Sequence, residues 1–513
     1  MKLDLYLGLS PLLLVVLGGS LLMVTEAFSH RREESDVRHA GPSSDLAIGT
    51  AITLFAGALA ALGVWFVGPE KLAGLKDLAP YLLVDRFSLF FTFVLCLGGG
   101  LAALLAGGYL PEHKIDRGEF YPLLTFSTVG AITLASSGDL LSLFLGLETM
   151  SLGVYSLTGF RRGSPRSSEA AVKYFLLGSF AAALLLYGGA LLYGATGHTD
   201  LAGIHDVVLA GSVAGAKVNN ALVLIAAALV ITGLLFKVSA VPFHMWVPDV
   251  YEGAPTPATG YMAVVVKSAA FAVLLRVLLV TFGQPEIASW GAGWPPIVAL
   301  VAVLTMTVAN LIAGRQESVK RMLAYSSIAH AGYILVGVVA TIRPQADGVN
   351  DAQASVMFYL LAYTASTIGA FGALILCGSR GAEAVTYEDL AGIGKRHPMA
   401  ALAFSLFLLS LAGIPPTAGF FGKLYIVRAA MGANLYVVAV LMLLNSALGA
   451  YYYLRVLVFM YMREPAPGAA VARPMRSGYV ATALVVAAVL VVALGLWPTT
   501  SLHMAVEATL AAR

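Results

Sequence analysis

Lys237, Lys267 and Lys423 each lie far inside an apolar stretch, and Glu148 lies inside another. An ammonium ion at bilayer depth costs roughly 2.5–3.5 kcal/mol on insertion scales, so such residues line a protein interior or a wet path and commonly carry protons. The chemistry these side chains offer is proton transfer. A carboxylate at that depth needs a cation near it, which makes a midplane lysine the natural partner of Glu148. Moving the glutamate toward or away from Lys237 would change the lysine's hold on its proton, the element a driven pump needs. The competing reading is a static ion pair that fixes two helices. His330, nine residues beyond Arg321, is a candidate relay between Lys267 and Lys423, because imidazole titrates near neutrality. The alternative is a satisfied core histidine. Lys173, four residues after Glu169, is read as snorkelling to the interface, and Arg276 and Arg455 as anchors or helix-packing charges.

The elements that position these residues are membrane helices. The chain has 513 residues, 59% hydrophobic and 12% charged, against about 25% charged in ordinary soluble domains. Apolar runs of span length recur about 14 times and leave nothing soluble of domain size. This predicts an all-α polytopic membrane protein, with spans starting near residues 6, 46, 83, 120, 140, 170, 220, 256, 294, 322, 354, 400, 432 and 478. The net charge of +3 says little about nucleic acid or acidic partners, but its distribution fixes orientation. Loops after odd-numbered spans hold Arg31, Arg32, Arg38, Lys114, Arg117, Arg161, Arg162, Arg166, Arg315, Lys320, Arg321, Lys395, Arg396, Arg473 and Arg476, whereas the others hold Lys71, Lys76, Lys217 and Arg343. The positive-inside rule then places both termini outside the cytoplasm. The first apolar run, from Leu5 to near Phe28, runs straight into Arg31 and Arg32 and is read as a retained helix. Cys96 and Cys377 lie in separate apolar runs, without a CxxC, and are read as packing residues.

Residues 172–178 (VKYFLLG) echo residues 356–362 (VMFYLLA), 184 positions later, and Lys237 and Lys423 are 186 positions apart. Matching offsets predict two five-helix repeats, the second inverted, as in many transporters. Coincidence among aliphatic helices is the bland alternative. The expected organisation is a single membrane domain over 1–513. Peripheral helices 1–3 occupy 1–119, the first repeat (helices 4–8) 120–282, the second (helices 9–13) 294–461, and a terminal helix 477–500. Pro242 after Lys237, and Pro415 with Pro416 before Lys423, predict broken helices 7 and 12, with His244 and Asp249 in the loop that caps the first break. No P-loop, GxGxxG, HExxH or haem-ligand pattern stands out, so the driving energy is expected from outside the chain.

Residues 233–255, GLLFKVSAVPFHMWVPDVYEGAP, closely resemble the signature of the antiporter-like membrane subunits of respiratory complex I, and the similarity runs from Asp85 to the last span. Residues 414–423, IPPTAGFFGK, resemble the innermost, N-type branch, since the M type carries glutamate where Lys423 stands. Glu148 followed by Thr149, Met150, Ser151 and Leu152 fits the same branch, as does a chain stopping at Arg513, without the long lateral helix of the L type. Subunits of multisubunit cation/proton antiporters and membrane-bound hydrogenases share the lysines and are the alternative. The resemblance implies a proton path along the membrane midplane. In it Glu148 and Lys237 form a pair, Lys267 is the connector and Lys423 closes the second half-channel. It further implies that NADH, FMN, iron–sulfur clusters and quinone are handled by other subunits, with no cofactor or metal in this chain. The implied partners are the other membrane subunits, including neighbouring M-type and small K/J-type subunits, together with lipids. The implied location is a bacterial inner membrane.

Overall fold

In lipid no water satisfies backbone amides, so apolar runs of this length close their hydrogen bonds internally as helices. The computed structural model describes residues 2–33, 44–213, 216–291, 293–342, 351–378, 383, 385–465 and 474–510, and Arg38, Arg343 and Arg473 of the charge pattern lie outside them. Among the described residues twelve helices are long and apolar enough to cross a membrane. They are Leu3–Phe28, Asp45–Val67, Arg86–Glu112, Leu140–Thr158, Pro165–Thr196, Asn220–Lys237, Thr256–Thr281, Trp294–Ala313, Val319–Ala340, Ala352–Leu376, Tyr436–Met462 and Gly478–Leu496. Two shorter apolar helices, Phe120–Ala135 and Pro398–Ala412, the second continued after a break by Ala418–Gly432, bring the series to fourteen. These are spans 1–14 in chain order. The starts agree with the hydropathy reading to within about five residues, the usual latitude of such boundaries.

Several starts are capped as their sequences dictate. Asp85 and Ser88 form a reciprocal capping box at span 3, Asp139 accepts from Leu141 N at 2.7 Å at span 5, and Ser318 accepts from Arg321 N at span 10. The connection between spans 6 and 7 holds an unanticipated amphipathic helix, Leu201–Ala210, and a two-residue hairpin of Ser212–Val213 with Ala216–Lys217. A further helix, Pro498–Glu507, follows span 14.

Spans 3, 8, 10 and 11 form the interior, 89–94% buried over their apolar windows, while spans 1, 2, 13 and 14 leave much of their surface facing outward. Glycines let particular pairs close up. A Cβ on Gly130 of span 4 would stand 2.2 Å from Met150 N of span 5, and one on Gly332 of span 10 would stand 2.7 Å from Met306 N of span 9. The order of elements recurs along the chain. Spans 4–8 and spans 9–13 each run as a close pair, a long helix, a broken helix and a closing helix.

Several charged groups at the two ends of the bundle are paired. At the end bearing the odd-numbered loops, Glu383 accepts from Thr256 Oγ1 at 2.9 Å and Lys320 Nζ at 3.1 Å, and is hydrogen-bonded to Tyr109. Arg161 donates to the same tyrosine at 2.9 Å, so one carboxylate ties spans 3, 8 and 10 and the loop after span 5. Burial alone would push the Glu383 carboxyl up, but the Lys320 charge and the bonds from Tyr109 and Thr256 outweigh it and hold the group at about 2. A carboxyl lowered from 4.5 contributes stability that is fully present above pH 4.5 and lost as pH falls toward 2. Glu383→Gln is therefore expected to lower the heat stability of the assembled protein at pH 6, with the difference from native shrinking as the pH approaches 3. Equal stability at pH 6 would show that the hub contributes nothing.

Candidate functional site

Span 7 ends at Lys237 itself, the chain crosses residues 238–246 with Ser239 at φ 69°, and helix resumes as Val247–Gly253. At the break the Phe236 carbonyl accepts from Ser239 N at 3.1 Å and from Trp246 Nε1 at 3.3 Å. Lys237, 2% exposed, points at span 5, where its Nζ donates to Ser151 Oγ at 2.8 Å and to Tyr155 OH at 3.4 Å. The rings of Tyr155 and Tyr174 lie 5.4 Å from the ammonium and that of Phe236 lies 5.9 Å away. Ring faces attract a cation, so they replace part of the hydration it gives up.

Glu148 stands one turn before Ser151 on the same face of span 5, half-buried and within electrostatic reach of Lys237. Its Oε1 has no hydrogen-bond partner among the described residues. Among the described residues the two charges form no ion pair within 4 Å, and Ser151 and Tyr155 are the groups bonded to the lysine. Glu148, Ser151 and Tyr155 recur at helical spacing, a signal present in the sequence that attention to charges alone passed over.

Lys267, 1% exposed, follows a π-helical turn, Met262–Val266, and a second such turn, Val277–Thr281, closes span 8. Wide turns of this kind shift the facing of the residues after them and recur at functional sites. The Lys267 ammonium donates to both the carbonyl and the hydroxyl of Ser327 on span 10, with the Tyr363 ring 5.7 Å away. His330 stands one turn beyond Ser327. Its Nε2 is hydrogen-bonded to Tyr453 OH at 3.1 Å and its Nδ1 to Tyr359 OH at 2.7 Å. It is thus a satisfied histidine, and it stands within electrostatic reach of both Lys267 and Lys423. A small cavity lined by His330, Tyr359, Tyr363, Ser366, Ser410 and Gly422 adjoins it. Ser366 and Ser410 are bonded at 2.7 Å, and Ser410 Oγ accepts from Gly419 N at 3.2 Å, which carries the polar series to broken span 12.

In that span the break comes before the lysine, so the two breaks fall on opposite sides of Lys237 and Lys423. Pro398–Ala412 ends at Gly413 in the left-handed region, φ 85°, and Lys423 reaches back across it to donate to Ala412 O at 2.8 Å and to Ser446 Oγ at 2.9 Å. A Cβ on Gly413 would stand 2.9 Å from Lys423 Cδ, so glycine is required there twice over. The cation at a helix C-terminus satisfies an orphan carbonyl and complements the helix dipole. The Tyr333 ring lies 5.2 Å from its ammonium.

Lys173 pairs with Glu169 at 2.6 Å and with Asp249 at 2.9 Å, and Arg321 bonds both Asp249 and Glu252 at 2.9 Å. Burial works against the Asp249 charge, but the bonds from Lys173 and Arg321 more than reverse this and hold the carboxyl below its ordinary range. With Arg166 these groups line an open charged basin at the odd-loop end. Tyr174, next to Lys173, stacks on Trp246 at 4.4 Å and has Lys237 on its ring, so an aromatic layer separates basin from lysine. His244 lies in the linker of span 7, Asp249 in the first turn of the helix after it, and Arg455 lies 4.3 Å from the Tyr387 ring and bonds the carbonyls of Gly314 and Gln316.

Fourteen spans, two of them broken, with three buried lysines strung across the interior define a polytopic antiporter-like membrane subunit. Residues 137–449 match the family described as "NADH:quinone oxidoreductase/Mrp antiporter, TM", and the chain belongs to that family. It is 76% identical over 508 residues to NADH-quinone oxidoreductase subunit N 1 of Sorangium cellulosum, covering 99% of each chain. A chain of respiratory complex I from Thermus thermophilus shares 34% identity with a TM-score of 0.76, over 97% of this chain and 99% of that one. A chain of the Mrp complex from Dietzia scores 0.79 at 22% identity, over 99% and 97%, and shares the fold. Backbone similarity therefore does not separate the two kinds of complex; sequence similarity favours the first.

Proposed function

We propose that this chain is the N-type proton-translocating membrane subunit of a NADH-quinone oxidoreductase, and that Glu148, Lys237, Lys267 and Lys423 carry its protons, with His330 as a relay. The observation that supports this best is the series of buried lysines, each held by hydroxyl or carbonyl groups, with the polar side chains of His330, Tyr359 and the Ser366–Ser410 pair in the interior between spans 10, 11 and 12. Oxidation of NADH and reduction of quinone belong to partner subunits on this reading, and this chain supplies proton transfer in a bacterial inner membrane. The odd-loop face, rich in Lys and Arg, is the cytoplasmic one, and both termini lie on the other side. Protons enter from the charged basin around Asp249. A change in charge near Glu148, brought about by a neighbouring subunit, alters the field at Lys237 and with it the lysine's hold on its proton, and Lys267, His330 and Lys423 pass the change onward.

The test is NADH-driven proton uptake by inside-out vesicles carrying native chain or Lys237→Ala at matched complex content. Uptake is expected to fall by at least about tenfold, together with slowed NADH–quinone turnover. Normal pumping at normal turnover would remove Lys237 from the path. Sodium- or potassium-dependent proton exchange without an electron donor would instead mark a gradient-driven antiporter.

A further inference from the structure

We propose that Ser151, Ser327 and Ser446 are positioning residues of the proton path, each holding one buried lysine through both of its protonation states. The proposal rests on the reading of these lysines as proton carriers. The same arrangement occurs three times. Lys237 Nζ donates to Ser151 Oγ at 2.8 Å, Lys267 Nζ to the Ser327 hydroxyl, and Lys423 Nζ to Ser446 Oγ at 2.9 Å. A tyrosine ring lies near each ammonium, at 5.4 Å for Tyr155, 5.7 Å for Tyr363 and 5.2 Å for Tyr333.

Four other basic groups differ in kind. Lys320, Arg276, Lys173 and Arg321 have carboxylate oxygens 2.6–3.1 Å away, whereas among the described residues no ion pair within 4 Å involves Lys237, Lys267 or Lys423. An ionised carboxylate favours the ammonium through its negative charge and cannot donate to an amine lone pair, so contact with one holds a lysine charged. A serine hydroxyl accepts from an ammonium and donates to a neutral amine by turning about its C–O bond. A ring face attracts the cation and makes no demand on the neutral form. In such a cradle the proton adds to or leaves the amine lone pair, while the serine keeps its own proton and the lysine stays in place. Ser151 gives its own proton to Leu147 O while it accepts from the Lys237 ammonium, so donating to a neutral lysine means turning that hydroxyl away from the carbonyl.

The test uses the assembled complex in inside-out vesicles carrying Ser151→Ala, Ser151→Thr and Lys237→Ala, with assembly measured for each. Ser446→Ala and Ser446→Thr, at a half-buried position with more room for a methyl group, form the second pair. Alanine is expected to lower NADH-driven proton uptake by about tenfold, the scale of one hydrogen bond to a charged group, and threonine to restore most of it. A packing role predicts the reverse order at Ser151, since alanine nearly keeps the volume of a buried serine and threonine overfills it. Uptake ranked native, alanine, threonine at both positions, or alanine variants equal to native, would overturn the proposal. If Lys237→Ala is inactive while Ser151→Ala and Ser446→Ala pump normally, the cradle fails alone. If Lys237→Ala also pumps normally, the reading of the lysines as carriers fails with it.

Discussion

Lys267→Arg is expected to stop NADH-driven proton uptake as thoroughly as Lys267→Ala, by at least about tenfold, although arginine keeps the positive charge. A guanidinium does not release its proton in a protein, whereas a desolvated lysine does so readily. If Lys267 passes protons, charge without exchange is as useless as no charge. If it is a fixed charge that only shapes the field around its neighbours, arginine retains activity and alanine does not. The site makes the comparison sharp, because Lys267 sits between two π-helical turns on an interior span and donates to Ser327, one turn from His330. His330→Gln should cost less. Its ring bonds Tyr359 and Tyr453, whose hydroxyls remain and, with the small cavity beside them, leave a detour. Proton uptake, quinone turnover and complex content measured on all four chains separate these cases, and a pumping Lys267→Arg variant would make the residue a fixed charge.

Much of this arrangement was legible in the sequence because the bilayer imposes simple rules. A run of about 20 apolar residues has one stable solution in lipid, so the positions of fourteen spans followed from hydropathy. Lysines in such runs are costly enough to mark themselves, and all three turn inward, at 2, 1 and 8% exposure. The prolines marked both breaks, but only coordinates show that one break follows its lysine and the other precedes it. Missing from the sequence reading were groups whose importance depends on distant neighbours. Ser151 is marked locally only by its helical spacing from Glu148 and Tyr155, nothing local distinguishes Ser446 from other serines in membrane helices, and Glu383 sits in a loop where an acidic residue is unremarkable. Its role appears once Tyr109, Thr256 and Lys320 converge on it from positions 63 to 274 residues away. The π-helical turns of span 8 likewise have no periodic signature.

The opposite end of the bundle offers the largest expected effect on stability. Arg276, 1% exposed, donates to Asp85 Oδ2 at 2.8 Å and Oδ1 at 3.0 Å, ties span 8 to the start of span 3, and lies 4.9 Å from the Phe87 ring. Burial alone would push the Asp85 carboxyl up, and the Arg276 charge and hydrogen bonds reverse this, so the pair's contribution is present at neutral pH and lost as pH falls through the acid range. The two partners should not be equivalent on removal. Asp85→Asn leaves a guanidinium buried beside a neutral amide, with Nε already lacking a partner among the described residues. Breaking a buried pair costs 3–5 kcal/mol, and the lower end, about 3 kcal/mol, applies here because the Asp85 side chain is 39% exposed and solvent screens part of the interaction. Arg276→Met is expected to cost less, since Asp85 keeps its Ser88 amide at 2.7 Å and its access to water. In the Arg276→Met background, Asp85→Asn should then change little, no buried charge being left to strand. Heat-inactivation profiles of the four proteins at pH 7 test the asymmetry. An equal loss on adding Asp85→Asn in both backgrounds would show that capping of span 3, and not the ion pair, is what Asp85 contributes.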